Sequence, residues 1–102
     1  MVVKLEEQEK ELTAFLSGDI DHHTAKEIRE AIDLKAEQCR PEQLILDFKD
    51  VTFMDSSGIG LVMGRYKLMK ELGGSVTVVH VSAHIRKVMI LAGLDKLAVI
   101  QK

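Results

Sequence analysis

After an opening pair of β-rich runs, each further β-rich run in this chain is separated from the next by a segment whose apolar residues recur at helical spacing. Residues 2–5 and 12–16 form the opening pair, with the charged stretch from Glu6 to Glu11 as a hairpin connection and Gly18 ending the second strand. Over 23–38, Ala25, Ile28, Ala31, Ile32 and Ala36 share one helical face; Thr24 or Asp21 supplies the cap, and Pro41 stops the helix. The almost wholly apolar 44–48 is a strand of the kind found in a sheet covered on at least one face. A turn over 50–55 leads into a second helical pattern through Ile59, Leu61, Val62, Tyr66, Met69 and Leu72, which stops at Gly73-Gly74. Residues 76–81 form another strand, Ser82 caps a third helix over 83–91, and 97–100 closes the chain as a strand. The order β-β-α-β-α-β-α-β predicts a single α/β domain over 1–102, with a mixed, mostly parallel sheet and helices packed against it.

Composition narrows the functions open to such a domain. At 102 residues, 46% of them apolar and 29% charged, the chain has the balance of one compact domain with its own core. Cys39 is the single cysteine, which rules out an intrachain disulfide and fits a reducing compartment. Glu6, Glu7 and Glu9 interrupt any apolar run after Met1, and no apolar stretch approaches the roughly 18 residues that span a bilayer, so the expected address is cytoplasmic and no membrane role is expected. The net charge is −2, Trp is absent and Tyr66 is the only tyrosine. Neither a basic block nor an aromatic stacking surface is available for nucleic acid, so any effect on transcription would pass through another protein.

The most informative segment is Phe53-Met54-Asp55-Ser56-Ser57-Gly58-Ile59-Gly60, where two hydroxyls stand at the entry from a strand into a helix. A first helical turn presents unpaired N–H groups and a partial positive charge, so it accommodates an anion such as a phosphoserine. Simple N-capping by serine would equally account for these residues. Gly60 and Gly64 go beyond capping: glycine inside a helix costs on the order of 1 kcal/mol relative to alanine, a cost that close packing or a partner's approach would offset. A dinucleotide fingerprint fails because Met63 stands where the third glycine is required, and no phosphate-cradling G-x-x-x-x-G-K-[ST] run exists. The nucleophile elbow G-x-S-x-G fails for both serines, since Met54 and Asp55 hold the leading glycine positions. A serine hydrolase using Ser56 or Ser57 with His22, His23, His80 or His84 as base is the poorer alternative, and no enzyme activity is expected.

The second polar constellation is Gly18-Asp19-Ile20-Asp21-His22-His23-Thr24, again between strand and helix. Adjacent His22 and His23 do not readily point into one site, and Asp19, Asp21 and Thr24 are ordinary turn and cap residues, so capping and partner contact are expected rather than a metal. Cys39, near a helix end, is expected to be a small semi-buried residue.

These two segments, with Gly64-Arg65-Tyr66-Lys67, Lys70-Glu71-Leu72-Gly73-Gly74 and Ala92-Gly93-Leu94, resemble the anti-sigma factor antagonists of the STAS-domain family, most of all the sporulation type. The resemblance runs from Val3 to about Ile100. It implies that Ser56 is phosphorylated by an anti-sigma factor acting as a serine kinase, and that a protein phosphatase reverses the modification. It also implies a partner-binding surface around Asp21, His22, His23, Asp55, Ser57, Gly58 and Gly60, with Asp21 close to the phosphorylation loop. No cofactor is implied, and the free protein is expected to be a monomer. A STAS module serving a stressosome or a transporter is the alternative within the same fold. Relatives commonly carry a further C-terminal helix beyond the point matching Lys102.

Overall fold

The computed structural model describes residues 2–101. The elements are β1 (Val3–Gln8), β2 (Glu11–Ile20), α1 (His22–Cys39), β3 (Gln43–Met54), α2 (Ser56–Glu71), β4 (Ser75–Val79), α3 (Ala83–Leu91), a short 3₁₀ turn (Leu94–Lys96) and β5 (Val99–Ile100). The five strands lie side by side in chain order, with β1 antiparallel to β2 and all later pairs parallel. Each parallel connection therefore steps one strand further in the same direction, and right-handed crossovers then lay all three helices on one face. On that face Leu12, Ala14 and Leu16 of β2, Leu44, Leu46 and Phe48 of β3, and Val76 and Val78 of β4 are buried. Ile28, Ile32 and Ala36 of α1 and Leu61, Val62 and Met69 of α2 complete the same core.

The expected element order is the observed one, with boundary corrections that matter for the site. The hairpin connection is only Glu9 and Lys10, because Glu6, Glu7 and Gln8 continue β1 opposite Thr13, Leu12 and Glu11. Gly18 does not end β2. It adopts φ +79°, and shifts of register between Phe15 and Ser17 and between Gly18 and Asp19 carry the strand on to Ile20. Likewise 50–54 is not a turn: β3 runs to Met54, with Asp50, Val51, Phe53 and Met54 paired to Ser17, Gly18, Asp19 and Ile20. β4 ends at Val79, where His80 takes φ +58°, and at the last strand only Val99 and Ile100 pair, after the 3₁₀ turn. The long irregular pairing of β2 with β3 delivers the starts of α1 and α2 to one edge, side by side.

Candidate functional site

Two helix starts, each capped by an aspartate, make up this edge. At α1, Asp21 is the cap: one carboxylate oxygen accepts from the N–H groups of His23 at 2.9 Å and Thr24 at 3.0 Å. The Thr24 hydroxyl in turn accepts from the Asp21 N–H at 2.9 Å and donates to the Asp19 carbonyl. Asp21 and Thr24 thus both take part, in a reciprocal capping box. The Thr24 N–H bond is the main cause holding the Asp21 carboxyl below its ordinary value of 3.8, against a partial opposing effect of desolvation. A depressed carboxylate contributes stability that is present above the ordinary carboxylate pKa and lost as pH falls through the folded-state value. Asp21→Asn, which keeps the capping oxygen, should therefore flatten the acid limb of stability against pH, read by thermal unfolding across the carboxylate range.

At α2 the cap is Asp55, whose carboxylate accepts from the Ser57 N–H at 2.8 Å. The serines are thereby released from the capping duty that their composition suggested. Ser56 is the first helical residue and is exposed, Ser57 is half-buried, and neither hydroxyl has a hydrogen-bond partner among the described residues. The two starts are tied together: Asp55 donates its N–H to the Ile20 carbonyl at 3.1 Å, and the Thr52 hydroxyl donates to the Asp19 carboxylate at 2.8 Å. Asp21, next in the chain to Ile20, accordingly lies beside the start of α2 that carries Ser56. Gly58 is buried, and a side chain there would run into Met54.

His22 and His23 are both exposed, with ring centroids 4.0 Å apart. Among the described residues no group of three or more His, Cys, Asp or Glu side chains is placed to hold a metal, and no histidine hydrogen-bonds to either serine. His80 instead lies 3.1 Å from the Asp47 carboxylate. Cys39 is half-buried, and burial pushes its thiol pKa up, so the reactive thiolate is disfavoured. No helix of the described residues is long and apolar enough to cross a membrane.

Gly60 and Gly64 lie in α2, which packs against α1, yet neither is required by packing: a Cβ at either position would meet nothing within 4 Å. Gly60→Ala and Gly64→Ala should each raise the unfolding free energy by about 0.5–1 kcal/mol, measured by chemical denaturation. The remaining unexpected feature is Arg65, which is only 5% exposed and lies with Nε 2.8 Å from an oxygen of Asp33 on α1. Its Nε and Nη1, with that Asp33 oxygen, are buried without an aligned hydrogen-bond partner among the described residues. Arg65 belongs to the same stripe as Gly58, Leu61, Val62 and Met69, and that spacing is the sequence signal by which its burial could have been found.

Comparison with known proteins places the fold in a family. The model of the STAS domain matches residues 3–102. An anti-sigma F factor antagonist of Paenibacillus polymyxa is 35% identical over 95 residues, covering 93% of this chain and 81% of that protein. The structure of the anti-sigma factor antagonist SpoIIAA in its unphosphorylated form superposes with a TM-score of 0.85 at 31% identity, covering 98% of this chain and 88% of that one. The Bacillus cell fate determinant SpoIIAA in its phosphorylated form gives a TM-score of 0.77 at 31% identity, with 98% and 91% covered. With the family model matching residues 3–102 and these relatives matching nearly the whole chain, the chain belongs to the STAS-domain family, among the anti-sigma factor antagonists.

Proposed function

We propose that this protein is a cytoplasmic anti-sigma factor antagonist switched by phosphorylation of Ser56. In the unmodified state it binds an anti-sigma factor through the edge formed by Asp21, His22, His23, Asp55, Ser57, Gly58 and Gly60, and so frees the sigma factor. The anti-sigma factor, acting as a kinase, phosphorylates Ser56 and ends the association, and a phosphatase restores the free hydroxyl. One observation carries the reading: Ser56 is exposed at the first position of α2 with its hydroxyl unpartnered, because Asp55 already caps the helix. A hydroxyl in that position is open to a kinase and can be modified without dismantling the cap. The chain itself serves as substrate and ligand rather than as an enzyme.

A Ser56→Ala variant tests this with the anti-sigma F factor as partner. Without ATP it should bind as tightly as the unmodified chain, and with ATP it should stay bound while the unmodified chain is released, as read by size-exclusion chromatography. Loss of binding by a folded Ser56→Ala variant would overturn the assignment.

A further inference from the structure

The bare backbone of Gly60 and Gly64 opens a groove of about 550 Å³ between α1 and α2, running beside Ser57. Its lining includes three basic side chains, Lys26, Arg29 and Arg65, together with His22, and no carboxylate, in a chain whose net charge is −2. His22, Lys26 and Arg29 stand on successive turns of one face of α1, so the positive row extends over roughly 10 Å at 1.5 Å per residue. That length suits about three residues of an extended chain, at about 3.3 Å each, better than a single small ion.

Arg65 makes this a built site rather than a patch of surface charge. It is 5% exposed, and among the described residues only Asp33 faces its guanidinium, with Nη1 left without an acceptor. Burial pushes the guanidinium down from its usual pKa despite the opposing pull of Asp33, and Arg29 adds to the push. The cationic form is thus under-compensated, and a further anion in the groove would relieve it. The glycines have the matching logic: among the described residues nothing stands within 4 Å of where a Cβ would lie at either position, so packing does not demand their helix-propensity cost, whereas a backbone without side chains lets a partner segment come close.

We propose that the groove between α1 and α2 seats a carboxylate-rich segment of the protein partner, laid across Lys26, Arg29 and Arg65 next to the Ser56 loop. The proposal rests on the reading of that loop as partner-binding. Exposed cations at the rim act mainly through association rate and salt dependence, while Arg65 and the glycine-lined floor hold the seated segment.

The test is a calorimetric titration of the anti-sigma F factor at several salt concentrations. It compares the unmodified chain with Lys26→Glu/Arg29→Glu, with the charge-neutralising Lys26→Gln/Arg29→Gln, and with Gly60→Leu, which fills the groove without altering charge. All three variants change exposed positions, and circular dichroism verifies their fold. The expected result is affinity weakened at least about tenfold by charge reversal, less by neutralisation, with a shallower salt dependence in both, and weakened by Gly60→Leu at unchanged salt dependence. Unchanged affinity and salt dependence in the charge variants, while Ser56→Asp still blocks binding, would overturn the groove and leave the switch standing. Failure of the unmodified chain to bind would overturn both.

Discussion

Phosphorylating Ser56 is expected to weaken binding to the anti-sigma factor by a few hundredfold while leaving the thermal unfolding of the free domain nearly unchanged. The first turn of α2 favours an anion by only roughly 0.3–1 kcal/mol, and Asp55 already occupies the acceptor position on the Ser57 N–H. The phosphate therefore has little leverage on the fold. It does bring about −1.5 to −2 of charge beside the Asp55 carboxylate, onto a surface otherwise fitted to a hydroxyl. Desolvating that charge against a partner carries a penalty of roughly 3–4 kcal/mol, which at 1.4 kcal/mol per decade is a few hundredfold in affinity. Ser56→Asp carries one charge and no tetrahedral phosphate, so its effect should have the same sign and a smaller size. Titration calorimetry with the modified, mutant and unmodified chains measures the ordering, and a large fall in unfolding temperature on phosphorylation would place the switch in the fold instead.

The second large effect is on stability. Asp33→Ala should destabilise the domain by about 2–3 kcal/mol, because it strands Arg65, 5% exposed, without its counter-charge. The loss is smaller than for a fully enclosed pair, since the Asp33 side chain is 31% exposed and solvent screens part of the interaction. Burial pushes the Asp33 carboxyl up and the Arg65 guanidinium down, each opposed by the attraction of the other, so desolvation outweighs attraction on both sides. It follows that Asp33→Leu/Arg65→Met should recover most of what Asp33→Ala loses, as measured by urea unfolding. A double variant no more stable than Asp33→Ala would show that the pair holds α1 and α2 together by more than charge balance. That double variant would also remove one wall of the groove, and so separates the structural part of Arg65 from its part in binding.

Local patterns carried the element order. The third helix, Ala83–Leu91 behind the Ser82 cap, stands where it was expected, because a favoured cap precedes a clear apolar period there. The strand ends were less legible. Asp50 and Thr52 read as a turn because they are polar, yet they extend β3, and only pairing with β2 around the Gly18 irregularity reveals them as strand. That pairing is non-local, and it is what joins the Asp21 and Asp55 caps at one edge. Assignment of the α2 cap depended on a single backbone position: Ser56 and Ser57 have the chemistry of caps, but Asp55 is the residue in extended conformation at the helix boundary. Arg65 was hidden for another reason. A lone arginine between Val62 and Tyr66 suggests a solvated face by its charge, although its spacing from Leu61, Val62 and Met69 points inward, and the packing of α2 on α1 with the carboxylate of Asp33 decides for the spacing.

Ser56 as the modified residue is tested most directly by incubating the protein with ATP and the anti-sigma F factor and locating the phosphate by fragment mass spectrometry. Phosphate on Ser56 alone, absent from the Ser56→Ala variant, is the predicted result. Phosphate on Ser57, or an unmodified chain under conditions in which the partner is bound and active, would contradict it.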